Sequence, residues 1–277
     1  RELGVKMIST RTIGYDHIDL EAAKECGMKV SNVTYSPECV ADYTMLLILM
    51  SIRNMKRICQ RAEINDFSLP GIQGKELHNF TVGVIGTGKI GQAVIRDLSG
   101  FGCKIYAYDV YQAEKVKKYA EYVDNIHEIY QKCDLITLHM PLFESNFHMI
   151  DESALSQMKD GVVLINTARG GLIDTKAESG KVGAAGLDVI EDEFGLYYKD
   201  LKAQCLRKHD LSILRAFPNV VVTPHMAFYT DQAVSDMVKH SILSCCLNEQ
   251  GEENPWEIKG EAGGHTIVNA LDCRQRE

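Results

Sequence analysis

The chain has 277 residues, of which 45% are hydrophobic, which is typical of about two domains with sizeable cores. Its net charge of −8 and its pI near 5.6 argue against nucleic acid or an anionic membrane as a standing partner. No apolar run approaches the roughly 20 residues that a membrane span needs, and no signal peptide is visible. These features predict a cytoplasmic protein.

The first elements in chain order are short. Residues 5–9 and 28–33 are predicted strands, and Asp19 to Cys26 is a predicted helix that ends at Gly27. The pair Ser36-Pro37 predicts the start of a long buried helix that runs towards Met55, with serine as its cap. Residues 67–75, which contain one proline and two glycines, predict a loop.

A glycine-rich turn follows the next predicted strand. Gly86 permits a sharp turn, Gly88 permits close approach of a pyrophosphate, and Gly91 lets the following helix pack on the strand. Backbone N–H groups at the start of that helix, which includes Lys89 and Ile90, are suited to bind an anion. We therefore predict a dinucleotide-binding loop.

Asp109 ends the second predicted strand of this region, close to the ~20 residues after the last glycine at which a carboxylate binds a ribose diol. The same carboxylate would repel a 2′-phosphate. The sequence therefore favours NAD over NADP.

Short apolar strands alternate with helices from this point on. Such alternation predicts a Rossmann-type doubly wound parallel sheet, with the functional residues at the carboxyl ends of its strands. Further strands are predicted at 134–138, 162–166, 184–189 and 219–223, and helices at 126–133 and 152–158. The polar residues expected at that edge of the sheet are Asp109, His139, Asn166, Arg169, Asp188, Glu193 and His225.

The nine cysteines are scattered, without a C-x-x-C pair or zinc-like spacing. This pattern predicts free thiols in a reducing compartment and no metal site.

Three segments combine with the glycine loop: Asn166-Thr167-Ala168-Arg169-Gly170, residues 188–193, and Thr223-Pro224-His225. In this order they resemble the NAD-dependent D-2-hydroxyacid dehydrogenase family, most of all its D-lactate and 2-hydroxyisocaproate dehydrogenases. The resemblance extends from Gly4 to about Asn248. It implies hydride exchange between NAD and a 2-keto or 2-hydroxy acid, such as pyruvate or a branched 2-keto acid.

The resemblance also implies roles for single residues. Arg169 resembles the arginine that binds the substrate carboxylate, which a planar guanidinium can do with two parallel hydrogen bonds. His225 resembles the acid–base residue, and Glu193 the carboxylate that orients it. Glu191 is the competitor for that last role, although the family spacing favours Glu193.

Further positions are implied by the same resemblance. Asp188 corresponds to the contact with the nicotinamide carboxamide, Asn166 is expected at the cofactor, and Tyr35 corresponds to a substrate-pocket tyrosine. The segment His139-Met140-Pro141 corresponds to the adenosine side of the cofactor site.

Comparison with the family pattern predicts three segments. Residues 1–35 are expected to be the remnant of an N-terminally truncated, flavodoxin-like substrate domain, 36–227 the NAD-binding domain, and 228–277 a return to the substrate domain with an irregular tail from Gly260. Residues 175–180 replace a longer crossover helix, so turnover by this chain is left open. The family also implies a homodimer, with the long helix from Pro37 as candidate interface.

Alternative functions stay open at this point. One is an NAD-sensing protein that binds partners without turnover, as in corepressors of the same fold. Another is an enzyme like phosphoglycerate dehydrogenase, and a third is a gene remnant without a stable fold. A formate dehydrogenase is disfavoured, because such enzymes carry Gln where Glu193 stands.

Overall fold

The structure is a computed structural model that describes residues 2–15, 17–177, 180–193, 195–204 and 208–259. The chain divides into two compact units: Arg1–Ser36, Pro141–Asn146 and Phe228–Glu277 form the first, and Pro37–Met140 and Phe147–Ala227 form the second. The tail that was predicted to be irregular, 260–277, lies outside the described residues.

The described residues form nine strands and eight α-helices. In chain order they are β1 (Met7–Ser9), α1 (Leu20–Glu25), β2 (Lys29–Ser31), α2 (Glu38–Ile52), α3 (Met55–Glu63), β3 (Thr81–Ile85), α4 (Lys89–Ser99), β4 (Lys104–Tyr108), β5 (Glu121–Tyr122), α5 (Ile126–Lys132), β6 (Leu135–Leu138), α6 (Glu152–Gln157), β7 (Val162–Asn166), β8 (Val182–Leu187), α7 (His209–Ala216), β9 (Val220–Val222) and α8 (Asp231–Gln250).

In the first unit, β1 and β2 pair in parallel and are connected by α1. The side chain of Asp19 caps α1 by accepting a hydrogen bond from the backbone N–H of Ala22 (2.9 Å). Helix α8 lies against β1, and the hydroxyl oxygens of Ser9 and Ser241 are 3.0 Å apart. None of the helices in the described part of the chain has the length and apolar character to cross a membrane.

The second unit is built on a seven-stranded sheet with the order β5-β4-β3-β6-β7-β8-β9, and all of its strand pairs are parallel. The central strands β6 and β7 are buried along their whole length, since helices cover both faces. This confirms the predicted Rossmann-type parallel sheet. Because all strands run the same way, their carboxyl ends form one edge.

The predicted long helix from Pro37 is wrong in its end and its cap. The structure has α2 up to Ile52 and then a separate helix, α3, because Asn54 adopts a left-handed backbone (φ 53°) between them. Pro37, and not Ser36, is the N-cap residue of α2, and it makes no side-chain cap bond. Sequence patterning missed α3, because this short polar helix buries no side chain.

The connection from β7 to β8 contains no α-helix among its described residues. It forms only a 3-10 turn at Gly170–Leu172, yet β8 pairs in parallel with β7, with Leu164 opposite Ala185. The expected loss of a crossover helix therefore does not prevent the strand pairing that places β8 beside β7. Glu178 and Ser179 lie outside the described residues.

Candidate active site

The glycine loop between β3 and α4 is shaped by close backbone contacts. Gly86 has φ +92°, and a β-carbon there would lie 2.6 Å from the carbonyl oxygen of His139. A β-carbon on Gly91 would lie 2.0 Å from the carbonyl oxygen of Gly86, so only glycine allows this helix to approach the loop. At Gly88, by contrast, no described atom outside Gly88 and its two chain neighbours lies within 4 Å of the β-carbon position. The loop is therefore tight on its protein side and open above Gly88.

This open position is the N-terminus of α4. Gly88 is its N-cap, and no described side chain caps the helix. The first N–H groups of the helix, from Lys89 and Ile90 onward, thus lack an acceptor of the cap type and carry the positive end of the helix dipole. Such a terminus fits a pyrophosphate, as the sequence predicts for NAD.

Asp109 lies directly after β4, beside this loop. Its Oδ2 accepts hydrogen bonds from the backbone N–H (2.5 Å) and the hydroxyl (3.2 Å) of Thr87, and its Oδ1 accepts one from Tyr111 N–H (3.0 Å). These bonds fix the carboxylate between the glycine loop and the end of β4. Since each carboxylate oxygen has two lone pairs, this carboxylate can still accept a hydrogen bond from a ribose hydroxyl.

His139 follows β6 and contacts the loop through its backbone. Its Nε2 lies 2.9 Å from the hydroxyl of Thr137, and its Nδ1 is buried without a partner among the described residues. Burial lowers the pKa of His139 to about 3, so the ring is neutral at physiological pH. Met140 is the last residue of this part of the second unit, whereas Pro141 belongs to the first.

His225 and Glu193 form the central pair of the site. His225 Nδ1 lies 2.6 Å from Glu193 Oε1, with both side chains about a quarter exposed. Because a carboxylate only accepts hydrogen bonds, Nδ1 carries the proton, and Nε2 is the nitrogen that can exchange a proton with a substrate. Glu191, the competitor, contacts His148 instead (2.9 Å).

Asp188 holds the turn that carries His225. It is fully buried, and its carboxylate accepts hydrogen bonds from the Thr223 hydroxyl (2.6 Å), Met226 N–H (2.8 Å) and Ala227 N–H (2.9 Å). Within this turn His225 has a left-handed backbone (φ 55°), an uncommon conformation for a non-glycine residue. The sequence did not reveal this structural role, and the predicted contact of Asp188 with the nicotinamide stays a prediction.

Arg169 lies three residues after β7, the neighbour of β8 in the sheet. The buried Asn166 shapes its turn, because the amide donates to the Arg169 carbonyl (2.9 Å) and accepts from Ala168 N–H (3.0 Å). A β-carbon on the next residue, Gly170, would lie 2.0 Å from the carbonyl of Ile190. The Arg169 segment and the segment that leads to Glu193 are thus in direct backbone contact.

Two tyrosines next to His225 were not predicted, since nothing in their sequence context marks them. The Tyr198 hydroxyl donates to the His225 carbonyl (2.9 Å), and the Tyr197 ring packs edge-on against the imidazole, with centroids 6.5 Å apart. Burial, together with the charges of Glu193 and Asp188, raises the pKa of Tyr198 to about 12. Tyr197 therefore restricts the position of the His225 ring, whereas Tyr198 holds the backbone of the same residue.

Tyr35 lies in the first unit. Its neighbour Thr34 is hydrogen-bonded to α8 and to the segment that follows α8. Thr34 accepts hydrogen bonds through its carbonyl from His240 Nδ1 (2.6 Å) and through its hydroxyl from Trp256 Nε1 (3.2 Å). The predicted contributions of Tyr35 to the substrate pocket and of Pro141 to the cofactor site stay predictions.

Comparisons with known proteins bear on the family, the fold and the cofactor of this chain. Residues 45–227 match the family model described as D-isomer specific 2-hydroxyacid dehydrogenase, NAD binding domain. An aromatic 2-oxoacid reductase of Clostridium sporogenes is 45% identical over 281 residues, which cover 99% of this chain and 81% of that protein. A D-specific alpha-keto acid dehydrogenase of Enterococcus faecium is 46% identical over 259 residues, 92% of this chain and 79% of that protein.

Among solved structures, D-lactate dehydrogenase from Aquifex aeolicus, complexed with NAD and lactic acid, has a TM-score of 0.84 at 37% identity. The match covers 93% of this chain and 81% of that one. These findings confirm the predicted family, fold and cofactor. The chain therefore belongs to the D-isomer specific 2-hydroxyacid dehydrogenase family and is an NAD-dependent dehydrogenase.

Proposed function

We propose that the protein reduces a 2-keto acid to its D-2-hydroxy acid and catalyses the reverse reaction at the site described above. The observation that carries this proposal is the 2.6 Å pair of His225 and Glu193, on segments that follow the adjacent strands β9 and β8. When bound, the reduced cofactor supplies the hydride that is added to the carbonyl carbon.

His225 gives the proton that this addition requires. With Nδ1–H donated to Glu193, proton exchange with the substrate oxygen takes place at Nε2. Glu193 fixes the ring and stabilises the positive charge that appears on it when the alcohol is oxidised. The edge-on contact with Tyr197 keeps the ring plane in place.

Arg169 binds the substrate carboxylate and orients the carbonyl group. Its guanidinium presents parallel N–H donors that match a carboxylate. The turn formed by Asn166 and the tight contact of Gly170 with Ile190 support this placement beside the segment of Glu193. Arg169 would thus bind the carboxylate of the 2-keto acid, while His225 would exchange a proton with its carbonyl oxygen.

The substrate class includes pyruvate and branched or aromatic 2-keto acids. The family resemblance implies pyruvate or a branched acid, and the name of the Clostridium sporogenes relative, 45% identical, adds aromatic acids. No observation favours the phosphoglycerate dehydrogenase alternative. The NAD-sensing alternative is disfavoured by relatives named as reductases and dehydrogenases.

A cytoplasmic homodimer is the proposed working form. Support comes from large apolar side chains that are exposed on and after α2 and α3, a surface suited to bury against a second copy. They are Leu46 (48% exposed), Ile64 (74%), Phe67 (77%) and Leu69 (81%). A sedimentation experiment that finds only monomer at micromolar concentration would contradict this assembly.

The decisive experiment measures NADH oxidation with pyruvate, 2-ketoisocaproate and phenylpyruvate, and the stereochemistry of the product. Glu193→Gln keeps the size of the side chain but removes its charge. We expect kcat/KM to fall about 100-fold, the order of magnitude of a general acid–base contribution. NADH affinity, measured by fluorescence, should stay unchanged.

Glu114→Gln is the matched control, because Glu114 is exposed and pairs only with Lys117 among the contacts described for it. Wild-type kcat/KM in the Glu193 variant would refute the proposed role of the pair. NADH binding by the unmodified protein without turnover of any 2-keto acid would favour the NAD-sensing alternative.

A further inference from the structure

His148 lies in a conformation that its surroundings impose. It follows β6 in the connection to α6 and has a left-handed backbone with φ 53°. Its N–H donates to the carbonyl of Gly171 (2.8 Å), and its ring stacks on Phe147 with centroids 3.9 Å apart. Since a bulky residue adopts this backbone at a cost, the contacts of His148 must compensate for it.

The two ring nitrogens of His148 face two carboxylates from different segments. Nε2 lies 2.9 Å from Glu191 Oε1, within hydrogen-bond distance, and Nδ1 lies 4.0 Å from Asp174 Oδ2, within ion-pair distance. All three side chains are about a quarter exposed. The imidazole therefore bridges two acidic groups that are 17 residues apart in the sequence.

Each of these carboxylates belongs to a segment that carries a proposed active-site residue. Asp174 follows Arg169 by five residues, and Glu191 precedes Glu193 by two. Backbone bonds between Ile150 N–H and Leu172 O and between Asp174 N–H and Ile150 O, both 3.0 Å, align the His148 segment with the first of them. His148 thus contacts both segments at once.

The two segments also touch each other at Gly170, whose missing β-carbon leaves room for the backbone of Ile190 and Glu191. Glu191 is the first of three consecutive acidic residues, and Asp192 adopts φ 55°. A hydrogen bond to His148 holds the Glu191 side chain away from the Glu193–His225 pair. Without it, the charged carboxylate could compete with Glu193 for the catalytic imidazole.

We propose that His148 is a positioning residue for catalysis. It ties the segment of Glu193 to the segment of Arg169 through Glu191 and Asp174, and thereby fixes the distance between the substrate-binding guanidinium and the acid–base pair. This inference rests on the proposed roles of Arg169, Glu193 and His225.

A metal site is the competing interpretation, because one histidine and two carboxylates are common metal ligands, and one atom from each lies within 4.8 Å of the others. The bridge explains the geometry better, since each ring nitrogen faces a different carboxylate. A metal ligand would direct one nitrogen, together with both carboxylates, at a single point.

The test compares His148→Gln, His148→Asn and His148→Ala. The Gln amide nitrogen can take the place of Nε2 and donate to Glu191, whereas Asn is too short to reach that carboxylate. We expect Ala and Asn to lower kcat at least about tenfold, since ångström-scale misplacement of catalytic groups has effects of up to ~100-fold. Gln should retain at least about half of the wild-type kcat.

The distinguishing measurement is the primary isotope effect on kcat with NADH deuterated at the transferred position. Misplaced catalytic groups slow hydride transfer, so the isotope effect should increase in the Ala and Asn variants and stay near wild type in the Gln variant. A loss of folded protein would lower the rate without changing the isotope effect. His127→Gln is the matched control, because the ring of this exposed histidine on α5 contacts only Gln157 and Tyr130 among the contacts described for it.

Three results would overturn the inference: a wild-type isotope effect and kcat in His148→Ala, equal losses in the Gln and Ala variants, or loss of wild-type activity on dialysis against EDTA. Glu193→Gln is measured in parallel. If that variant is impaired while His148→Ala is not, only the positioning role fails. If it has wild-type activity, the proposed function of the site fails first.

Discussion

Replacement of Gly170 by alanine tests how closely the Arg169 segment must approach the segment of Glu193. The new β-carbon would lie 2.0 Å from the carbonyl carbon and oxygen of Ile190 and 2.5 Å from the Glu191 nitrogen. All three atoms belong to the backbone, so no change of rotamer can relieve the overlap. Ordinary contacts of a β-carbon begin at 3.4 Å, so the two segments must separate by more than 1 Å.

A separation of this size has a calculable effect on catalysis. A misplacement of 1 Å can lower the rate about 100-fold, which corresponds to about 2.7 kcal/mol of transition-state stabilisation. Overpacking also lowers the free energy of unfolding by about 1–3 kcal/mol, which in a protein of this size lowers Tm by roughly 2–10 °C. We expect kcat/KM of Gly170→Ala to fall about 100-fold while the protein stays folded at 25 °C.

The assay is steady-state NADH oxidation with a 2-keto acid at 25 °C, combined with thermal unfolding of the same samples. Gly100→Ala is the control, because its β-carbon would lie 3.3 Å from the Asp97 carbonyl oxygen and needs only a slight adjustment. Wild-type kcat/KM in Gly170→Ala would refute the reasoning. It would mean that the two segments can separate without loss of the reactive geometry.

Two further predictions concern the cofactor side of the second unit. If Asp109 binds the ribose as proposed, Asp109→Ala should raise the ratio of kcat/KM for NADPH over NADH at least about tenfold, because the change removes a charge that would repel the 2′-phosphate. An unchanged ratio would contradict the proposed role of Asp109. His139 has a folded pKa of about 3 against an ordinary value of 6.5, so its contribution to stability is fully present above pH 6.5 and is lost as pH falls towards 3. Between pH 6.5 and 5, the free energy of unfolding of the wild type should therefore fall by up to about 1.4 kcal/mol per pH unit more than that of His139→Asn. Urea unfolding at several pH values measures both, and an equal pH dependence of the two proteins would contradict this prediction.

Elements with a strong local signal could be predicted from the sequence. The predicted strand 162–166 coincides with β7, and the predicted helix 126–133 agrees with α5 to within one residue. Uninterrupted apolar runs specify buried strands, and capping residues such as Asn125 specify helix starts. The prediction of one long helix from Pro37 was wrong, because the helix is interrupted by the left-handed backbone of Asn54, which the periodicity of the sequence does not indicate.

In the candidate site, too, some contacts could be predicted from the sequence and others could not. The resemblance to the dehydrogenase family pointed to Glu193, ahead of Glu191, as the partner of His225, and in the structure the two side chains lie 2.6 Å apart. The contact of Glu191 with His148 could not be predicted, because the two residues are 43 positions apart and no sequence rule links them. Nothing in the sequence indicated that the Asp188 carboxylate accepts hydrogen bonds from three donors.

The sequence by itself determined the parallel sheet and the glycine loop, because these follow from local periodicity and from spacing along the chain, and its resemblance to the family pointed to the side chains proposed for hydride exchange. Only the tertiary structure decided which acidic side chain meets which histidine, and how tightly the segments after β7 and β8 pack. The physical reason is that such contacts depend on sub-ångström distances between strands that fold together from distant parts of the chain, and on glycines whose missing side chain matters only once a neighbour is in place.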